Sequence, residues 1–415
     1  MTQNKERRGK TTLGKKVERS EGTGGTWRAQ LLPPTHAHNT VVAARLILAR
    51  HFSIMPTNLP SPRPMKTSRT SSRKQQHVEI TVAKDVSFRG KSTGFERWEF
   101  QHNALPELNA AEVVTSTMFL GKGLSLPLII SSMTGGYKDA GRINRLLAEV
   151  CAELGLGMGV GSQRQAMEDA TFHKTFSVVR EVAPDIPLFG NIGAAEVARQ
   201  KDASKVQKLA DLVRADAFAV HLNPLQEFLQ PEGNPEFRGV LDGIAMLVKQ
   251  LPIPVIVKEI GAGISVSVAR RLVEVGVTMI DVAGAGGTSW AGVEIVRRNG
   301  ARGRTDRDFA SGFWDWGIPT VDALRQVCSL KTQHPSLVVI SSGGISSGMD
   351  VAKSIAFGGD LAGAARPMIK TLEVRGKKAL SSMIHQWEME LRAAMFLTGS
   401  RTIRELQEQQ LVLRS

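Results

Sequence analysis

Three glycine-rich segments of the sequence could hold phosphate groups. SSGGIS (341–346) and GAARP (363–367) each follow a short apolar run. Glycine lets the backbone approach a ligand closely, and the N–H groups of a turn or a helix N-terminus bind anions. GAGGTSW (284–290) has the same composition and adds the hydroxyl of Thr288. One such segment alone would indicate only a tight turn, but the three together favour a phosphate site.

Lys258 ends the apolar run PVIVK, so its charge would emerge from a buried strand. One interpretation is a structural ion pair with Glu259. The other is a fixed cation beside the pyrimidine edge of a flavin, where it would stabilise the anionic reduced ring. Residues 132–135 and Asn191 could then supply further hydrogen bonds to the ring.

A compact cationic group lies far upstream, where RKQQH carries Arg73, Lys74 and His77. Arginine and lysine in such a group suit a diphosphate, although a charge cluster in a linker is often only solvated. The segments SQR (162–164) and HLNPLQE (221–227) add an arginine and a histidine at predicted strand ends. Binding of a second phosphorylated ligand is therefore expected.

These segments must be positioned by a parallel sheet covered with helices, because short β-branched runs alternate with helical patterns from residue 125 onward. The predicted strands are 128–131, 156–160, 188–191, 217–221, 255–258, 279–282, 337–341 and 361–364. The predicted helices include 141–154, 204–213, 265–275, 322–330 and 349–356.

Nearly every predicted strand ends in a polar or glycine-rich segment. A doubly wound open sheet would concentrate function at one switch point, whereas a closed barrel supplies site residues from several strand ends. We therefore predict an α/β fold, a (β/α)8 TIM barrel with an N-terminal extension. The segments 341–346 and 363–367 then follow strands seven and eight, where such barrels commonly bind phosphate.

Positive charge is concentrated near the start of the chain. The net charge of +14 resembles that of a nucleic-acid-binding protein, yet residues 1–74 carry 15 Lys and Arg against 3 Glu. The remaining residues carry 38 basic and 36 acidic side chains. We expect no nucleic-acid partner. The expected divisions are a disordered basic extension (1–65), an N-terminal segment (66–127), the barrel (128–400) and a C-terminal tail (401–415).

The basic extension has two interpretations: an over-extended start before Met65, or an organellar transit peptide. Mass spectrometry of the native N-terminus would distinguish them.

Cys151 and Cys328 fall in predicted helices and are expected to be buried structural thiols. Two cysteines build no disulfide framework, which fits a reducing compartment. No apolar run approaches the roughly 18 residues of a membrane span. A cytoplasmic protein is expected.

The ordered motifs resemble type 2 isopentenyl-diphosphate isomerase, an FMN-dependent family that interconverts isopentenyl and dimethylallyl diphosphate. The matching motifs are RKxxH, SSMTGG, SQR, GNIG, HLNPLQE, KExGxG, GGTSW and the GGI cluster, between residue 73 and about residue 400. RKxxH and HLNPLQE are the discriminating ones, because general flavin barrels lack them. The resemblance implies FMN, Mg²⁺, NADPH as reductant, and a homo-oligomer, either a tetramer or an octamer.

For the substrate, the resemblance implies that a set of polar residues binds the diphosphate or lines its pocket: Arg73, Lys74, His77, Ser162, Gln163, Arg164, His221 and Asn223. Glu227 would hold Mg²⁺, a cation that takes one or two carboxylates plus ligand phosphates. Gln226 would face the isoprenoid carbons, where it is the candidate catalytic residue. It would relay or position a proton, although an amide has no useful pKa.

For FMN, the family pattern points to residues at most of the strand ends: Met133, Thr134, Gly135, Ser162, Asn191, Lys258, Thr288, Gly344, Ile345, Ser346, Ala364 and Ala365. One departure is Ala283, where the family often has serine, so one hydrogen bond to FMN would be missing. The implied reaction moves a double bond without net oxidation. The chain offers no obvious carboxylate or cysteine pair for protonating an alkene. The resemblance implies that reduced flavin itself acts as the acid and base.

Two alternatives remain at this point. Another FMN barrel would be a 2-hydroxy acid oxidase, for which His221 could take the hydroxyl proton, or an enzyme similar to inosine-monophosphate dehydrogenase, which needs a loop cysteine. A non-catalytic flavin, nucleotide or nucleic-acid binder is the other class. The arginine-rich segment 297–308 is interpreted as a mobile, solvated lid and not as an RNA-binding loop.

Overall fold

A computed structural model describes residues 69–302 and 309–414. The expectations for residues 1–65, disorder or an over-extended start, concern a part of the chain that lies outside the described residues. Within the described residues, no helix is long and apolar enough to cross a membrane.

Eight parallel strands close into a barrel in which the last strand pairs with the first. The strands of the described chain are β1 (Trp98–Phe100), β2 (Thr117–Phe119), β3 (Lys122–Leu124), β4 (Leu128–Ile130), β5 (Gly157–Gly159), β6 (Leu188–Gly193), β7 (Ala217–His221), β8 (Val255–Lys258), β9 (Met279–Asp281), β10 (Val338–Ser342), β11 (Leu361–Ala364) and β12 (Leu411–Leu413). The barrel consists of β4 to β11, so the fold prediction is confirmed and the open sheet is excluded. All eight predicted strands are present.

Helices follow the barrel strands and pack their apolar faces against them. The α-helices are α1 (Arg69–Ala83), α2 (Ala140–Leu154), α3 (Arg164–Glu168), α4 (Lys174–Val182), α5 (Ala194–Val197), α6 (Ser204–Val213), α7 (Pro224–Leu229), α8 (Val240–Gln250), α9 (Val266–Glu274), α10 (Trp290–Arg302), α11 (Thr320–Cys328), α12 (Gly348–Ala356), α13 (Arg366–Thr398) and α14 (Ile403–Gln407). Short 3₁₀ helices span Phe95–Arg97, Ala110–Glu112, Ala170–Phe172, Phe309–Phe313 and Ser329–Thr332.

Local sequence explains where several helices begin and end. The Ser265 side chain accepts a hydrogen bond from the Val268 N–H at the start of α9, and Ser347 caps α12 in the same way. Helix α2 ends at Gly155, whose φ of +64° lies in the left-handed region that favours glycine. Helix α13 is broken at Gly376. Cys151 is buried in α2 as predicted, whereas Cys328, at the end of α11, is only partly buried.

The N-terminal end of the barrel is closed by the antiparallel hairpin of β2 and β3. Phe119 and Leu124 of the hairpin join a buried cluster with barrel side chains such as Ile129 and Phe189. The Lys122 ammonium also donates a hydrogen bond to the Ile186 carbonyl, at 3.1 Å. Among the described residues, the end of the barrel left open to a ligand is therefore the opposite one, where the carboxyl ends of the strands lie.

Asp216 joins this hairpin to the barrel wall. Its carboxylate lies 2.7 Å from the Lys122 ammonium and 2.7 Å from the Arg180 guanidinium. It also accepts a hydrogen bond from the Leu188 N–H at 2.8 Å. Burial opposes ionisation, but hydrogen bonds from Lys122, Leu188 and Arg180 and the Arg180 charge hold the pKa of Asp216 below its usual value.

Replacing Asp216 with alanine should lower the free energy of unfolding by about 2–3 kcal/mol, because the buried Arg180 guanidinium loses its counter-ion. Thermal and urea unfolding would measure the loss. The contribution should be present at neutral pH and disappear as the pH falls through the lowered pKa of Asp216. Asp185→Ala, at an exposed position nearby, is the control. Equal stability of the two variants would contradict this role.

The two ends of the described chain meet outside the barrel. Strand β1 of the N-terminal segment pairs antiparallel with β12 of the C-terminal tail, and the tail forms helix α14 and strand β12.

The RKQQH motif does not lie in a linker: it lies on α1, which packs against α10 and α13. A helix places Arg73, Lys74 and His77 within about one turn of each other.

Candidate active site

Side chains at the carboxyl ends of neighbouring strands line a cavity in the barrel mouth. Strand register pairs His221 of β7 with Lys258 of β8, and Lys258 with Asp281 of β9. Paired residues on adjacent strands face the same side of a sheet, so these three side chains point the same way. Lys258 and Asp281 are buried. The cavity and its open mouth together contain about 950 Å³ of empty space.

The structure brings most of the predicted site residues into this one cavity. Those that line it are Arg73, Lys74, His77, Met133, Thr134, Gly135, Ser162, Arg164, Asn191, His221, Asn223, Gln226, Glu227 and Lys258. Predicted residues that do not line it are Gln163, Thr288, Gly344, Ile345, Ser346, Ala364 and Ala365. The set therefore divides into a central cavity and the region around the ends of β9, β10 and β11.

The wall formed after β4 offers polar groups without partners. The hydroxyls of Ser132 and Thr134 are buried and make no hydrogen bond to another described residue. Gly135 has a φ of +157°, and a Cβ there would lie 2.0 Å from the Phe176 ring. The Phe176 ring therefore packs directly against the backbone of this wall and fixes its position. Free hydroxyls beside a closely packed backbone suit a ring system with several hydrogen-bonding atoms.

Lys258 is the fixed cation of the cavity floor. Its ammonium donates a 2.6 Å hydrogen bond to the backbone carbonyl of Glu259, not to the carboxylate. The Glu259 carboxylate instead accepts hydrogen bonds from the N–H groups of Ile260, Gly261 and Ala262. Burial raises the pKa of Glu259 to about 7 against these hydrogen bonds. The Lys258–Glu259 ion pair is thus not formed, and the remaining lysine protons stay available to a ligand in the cavity.

The glycine segments after β9 and β10 approach each other closely. A Cβ on Gly287 would lie 2.5 Å from the backbone nitrogen of Gly344, so both positions require glycine. The N–H groups of Gly344 and Ile345 donate no hydrogen bond to the other described residues. Helix α13 begins next to this turn, after Ala365. Free N–H groups beside a helix N-terminus suit a phosphate. Together with the cavity wall and Lys258, they fit FMN.

Two predicted ligand residues are engaged with the protein itself. Gln163 is buried away from the cavity, where its amide donates to the Leu209 carbonyl and accepts from the Asn191 N–H, at 2.8 and 3.0 Å. It therefore fixes the backbone of Asn191, and its contact with the diphosphate stays a prediction. The Ser346 hydroxyl donates to the Asp350 carboxylate at 3.0 Å, and its contact with FMN likewise stays a prediction.

Arg73, Lys74 and Arg164 form a cation cluster at one side of the cavity. The Lys74 ammonium donates to the Ser162 carbonyl at 2.5 Å and lies 5.6 Å from the centre of the Phe176 ring. Burial, followed by the charge of Arg73, lowers the pKa of Lys74 to about 7. Burial likewise lowers the pKa of Arg73. Such a cluster favours a ligand with at least two negative charges.

Arg164 also contacts two carboxylates, Glu168 and Glu196, each at 3.2 Å. Glu196 lines the cavity but was not predicted, and its neighbours in the sequence offer no motif. The pair holds the guanidinium at the cavity edge. An incoming dianion would compete with both carboxylates for it.

The HLNPLQE segment turns from β7 into α7 and presents four cavity residues. His221 lies 2.9 Å from the Asn191 amide oxygen, which can only accept, so its Nδ1 carries the proton. Burial, then the charges of Lys258 and Lys74, lowers the pKa of His221 to about 3 and keeps the ring neutral. The Gln226 amide oxygen accepts from Asn223 at 3.0 Å, and its nitrogen lies 3.4 Å from Glu294.

Glu227 has both carboxylate oxygens fixed. Asn223 donates to one at 3.0 Å, while Gln230 and the Asn234 N–H donate to the other at 3.1 and 2.6 Å. The amide oxygens of Asn223 and Gln230 are buried without partners among the described residues. No group of three or more His, Cys, Asp or Glu able to hold a metal occurs in the described part of the chain. A cation at Glu227 would need most of its ligands from water or a bound phosphate, which fits Mg²⁺.

Glu294 is the main functional candidate that the sequence predictions missed. It lies on α10, is fully buried, and its carboxylate is 2.8 Å from His77 Nε2. Burial would raise its pKa, but the hydrogen bond and charge of His77 and the charge of Arg297 bring the pKa of Glu294 below its usual value. A glutamate within the apolar run WAGVEIV was the available signal. Trp290, one turn earlier, lines the cavity and packs edge-on against His77.

Comparison with known proteins identifies the family. The model of the FMN-dependent dehydrogenase family matches residues 191–413. The chain is 48% identical over 352 residues to the isopentenyl-diphosphate delta-isomerase of Pelodictyon phaeoclathratiforme, covering 83% of this chain and 98% of that one. It is 44% identical over 344 residues to the enzyme of the same name from Pseudescherichia vulneris, covering 83% and 97%. The chain belongs to the type 2 isopentenyl-diphosphate isomerase family.

Members of this family are FMN-dependent isomerases, so the chain is an isomerase flavoenzyme. Solved structures of two oxidases share its fold. A lactate oxidase of Pediococcus acidilactici superposes with a TM-score of 0.60 at 18% identity, covering 83% of this chain and 94% of that one. A mandelate oxidase variant with (S)-mandelic acid gives a TM-score of 0.57 at 16% identity, covering 83% and 98%. At these identities the similarity shows the barrel and nothing finer.

Proposed function

We propose that this isomerase converts isopentenyl diphosphate to dimethylallyl diphosphate, using reduced FMN and Mg²⁺. One observation carries the proposal: a single cavity joins the cation cluster of Arg73, Lys74 and Arg164 to the wall formed after β4. Gln226 lines this cavity, and the buried Glu294 lies behind Gln226. A ligand with a diphosphate at one end and a short hydrocarbon at the other matches this arrangement of charge.

The cation cluster would bind the diphosphate. Charge-assisted hydrogen bonds from arginine and lysine to phosphate are short and strong, and burial strengthens them further. His77 would contribute by holding α1 in place through Glu294 and Trp290. His221, with its unprotonated Nε2, and Asn223 would line the same pocket.

The hydrocarbon end would lie near Gln226, where a proton has to be added to one carbon and removed from another. When bound, reduced FMN would supply acid–base chemistry at the face of its ring, held by the wall after β4, Asn191, Lys258 and the turns after β9, β10 and β11. The Gln226 amide nitrogen lies 3.4 Å from the Glu294 carboxylate. The Glu294 carboxylate, ionised despite burial, would fix the orientation in which this amide meets the substrate, because a glutamine N–H donates a hydrogen bond but relays no proton.

Glu227 is proposed as the protein ligand of Mg²⁺. Glu227→Gln should raise the Mg²⁺ concentration for half-maximal activity at least about tenfold, because a neutral amide binds the cation more weakly. Binding of Mn²⁺ as a spectroscopic probe, followed by electron paramagnetic resonance, should weaken in parallel. Glu236→Gln, at an exposed glutamate paired with Arg199, is the control. Unchanged Mn²⁺ affinity in Glu227→Gln would disprove this assignment.

The direct test is an anaerobic assay with FMN, Mg²⁺ and isopentenyl diphosphate. NADPH is the proposed reductant, and dithionite serves as a reductant that needs no binding site. Formation of dimethylallyl diphosphate, detected by mass spectrometry after dephosphorylation, is expected with both. Turnover with dithionite alone would reject NADPH but keep the isomerase, whereas no turnover with either reductant would reject the proposed function.

The same assay separates the oxidase alternative, because a 2-hydroxy acid oxidase would consume O₂ with lactate or mandelate. The neutral His221 is hydrogen-bonded to Asn191, and neither Cys151 nor Cys328 lines the cavity.

We also propose that the protein is a cytoplasmic homo-oligomer, a tetramer or an octamer, without nucleic-acid partners. Light scattering would test the assembly, and salt-dependent retention on nucleic acid would contradict the last point.

A further inference from the structure

Arg297 was expected to begin a mobile, solvated lid, but the structure places it on α10 with only 11% of its side chain exposed. The rest of that segment, residues 303–308, lies outside the described residues. The Arg297 Nε donates to Glu294 at 2.8 Å. Its two terminal nitrogens donate to the two carboxylate oxygens of Glu232, at 2.8 and 2.7 Å. All three guanidinium nitrogens are therefore engaged.

The contact matters because Glu294 is fully buried. An ionised carboxylate without a counter-charge is strongly destabilised in such a place and takes up a proton instead. His77 offers a positive charge only when it is protonated, whereas a guanidinium is always charged. Arg297 is thus the permanent cation in direct contact with Glu294.

The other charged groups around Glu294 act from neighbouring elements. Helix α1 contributes His77 in contact and Arg73 at longer range, and the region of α7 contributes Glu227 and Glu232, whose charges also act on Arg73. The hydrogen bonds from Arg297 lower the pKa of Glu232 to about 2, so Glu232 stays charged and fixes the guanidinium.

We propose that Arg297 is a positioning residue for the isomerase reaction, which keeps the buried Glu294 charged and aligned with Gln226. Glu232 holds the two terminal nitrogens of the planar guanidinium, and this directs the remaining nitrogen, Nε, at Glu294. Arg297 itself does not line the cavity. This inference rests on the proposed function, since it assigns work to Glu294 in that reaction.

The test compares Arg297→Met, Arg297→Lys and the matched control Arg298→Met. Arg298 is the next residue of α10 and lies over the Phe309 ring, 5.1 Å from its centre, so its replacement removes the same charge from the same helix. Arg297→Met should lower kcat about 10–100-fold at neutral pH with KM little changed. Its activity should recover as the pH is raised, because Glu294 then ionises at higher pH. Arg297→Lys should keep the wild-type pH profile, and Arg298→Met should match the wild type.

A second measurement needs no catalysis. Infrared titration should show a protonated carboxyl band that persists to higher pH in Arg297→Met than in the wild type, and Glu294→Gln assigns the band. Arg297→Lys guards against a folding defect in the methionine variant. An unshifted band overturns the inference, as does a pH profile in Arg297→Met identical to that of Arg298→Met. A shifted band in a protein that turns over no isopentenyl diphosphate would reject the proposed function and keep the role of Arg297.

Discussion

Glu294→Gln should lower kcat for isopentenyl diphosphate by about ten- to a hundredfold, because the ionised carboxylate holds the Gln226 amide and a neutral amide would hold it more weakly. Glutamine has the same shape and can keep hydrogen bonds to His77 and Arg297, but it carries no charge. The carboxylate is 2.8 Å from His77 Nε2 and is completely buried, so no solvent group replaces it. FMN binding should persist, because Glu294 contacts none of the residues that are proposed to bind FMN.

Steady-state kinetics and fluorescence titration of FMN would measure the two effects. Glu236→Gln, at an exposed glutamate paired with Arg199, is the matched control. A kcat for Glu294→Gln within a few-fold of the control would show that Glu294 has no role in the reaction. Joint loss of FMN affinity and activity would instead indicate a collapsed site.

The second large effect concerns α1. Replacing both Arg73 and Lys74 with alanine should reduce kcat/KM by about two to four orders of magnitude, because each charge-assisted hydrogen bond to phosphate contributes about 1.5–3 kcal/mol. Binding should fail before chemistry does, so KM should rise more than kcat falls. Lys84→Ala, just beyond the end of α1, is the control, since its hydrogen bonds, to Ile80 and from Arg366, are made by its backbone. Unchanged KM in the double variant would show that the diphosphate does not bind to this cluster.

The same cluster predicts a pH dependence. Free Lys74 has a pKa of about 7, so it loses its proton as the pH rises through that value. A bound diphosphate would restore the charge, and binding should therefore take up a proton above that pH and weaken as the pH rises. KM should increase on the alkaline side in the wild type and become flatter in Lys74→Ala. Isothermal titration in buffers of different ionisation enthalpy would detect the proton uptake.

The barrel could be predicted because its signal is local. Each strand is a short apolar run that ends in a polar segment, and strands such as β7 and β8 have the predicted bounds. Strand ends also meet at one face of a barrel, so His221, Lys258 and Asn191 could be placed at the same barrel mouth before their contacts were known, although His221 was assigned to the diphosphate and the other two to FMN.

What could not be predicted depends on contacts between distant parts of the chain. His77 and Glu294 are 217 residues apart in the sequence, and no spacing rule links them. Helix α1 is too polar to show a clear apolar periodicity, and contacts with α10 and α13 stabilise it. Gln163 stands between two cavity residues, yet the turn after β5 directs its amide into the core, where Leu209 and Asn191 receive it.

Helix α1 lies outside the closed ring of strands and precedes it in the chain, although it provides two of the cations of the cluster. Part of the proposed diphosphate site is thereby encoded apart from the barrel, while Arg164 and His221 come from the strand ends. Mutations in α1 should change how tightly an anion is held without altering the strand ends that would hold FMN. Directed evolution of anion preference could therefore begin by randomising α1, with the barrel left unchanged.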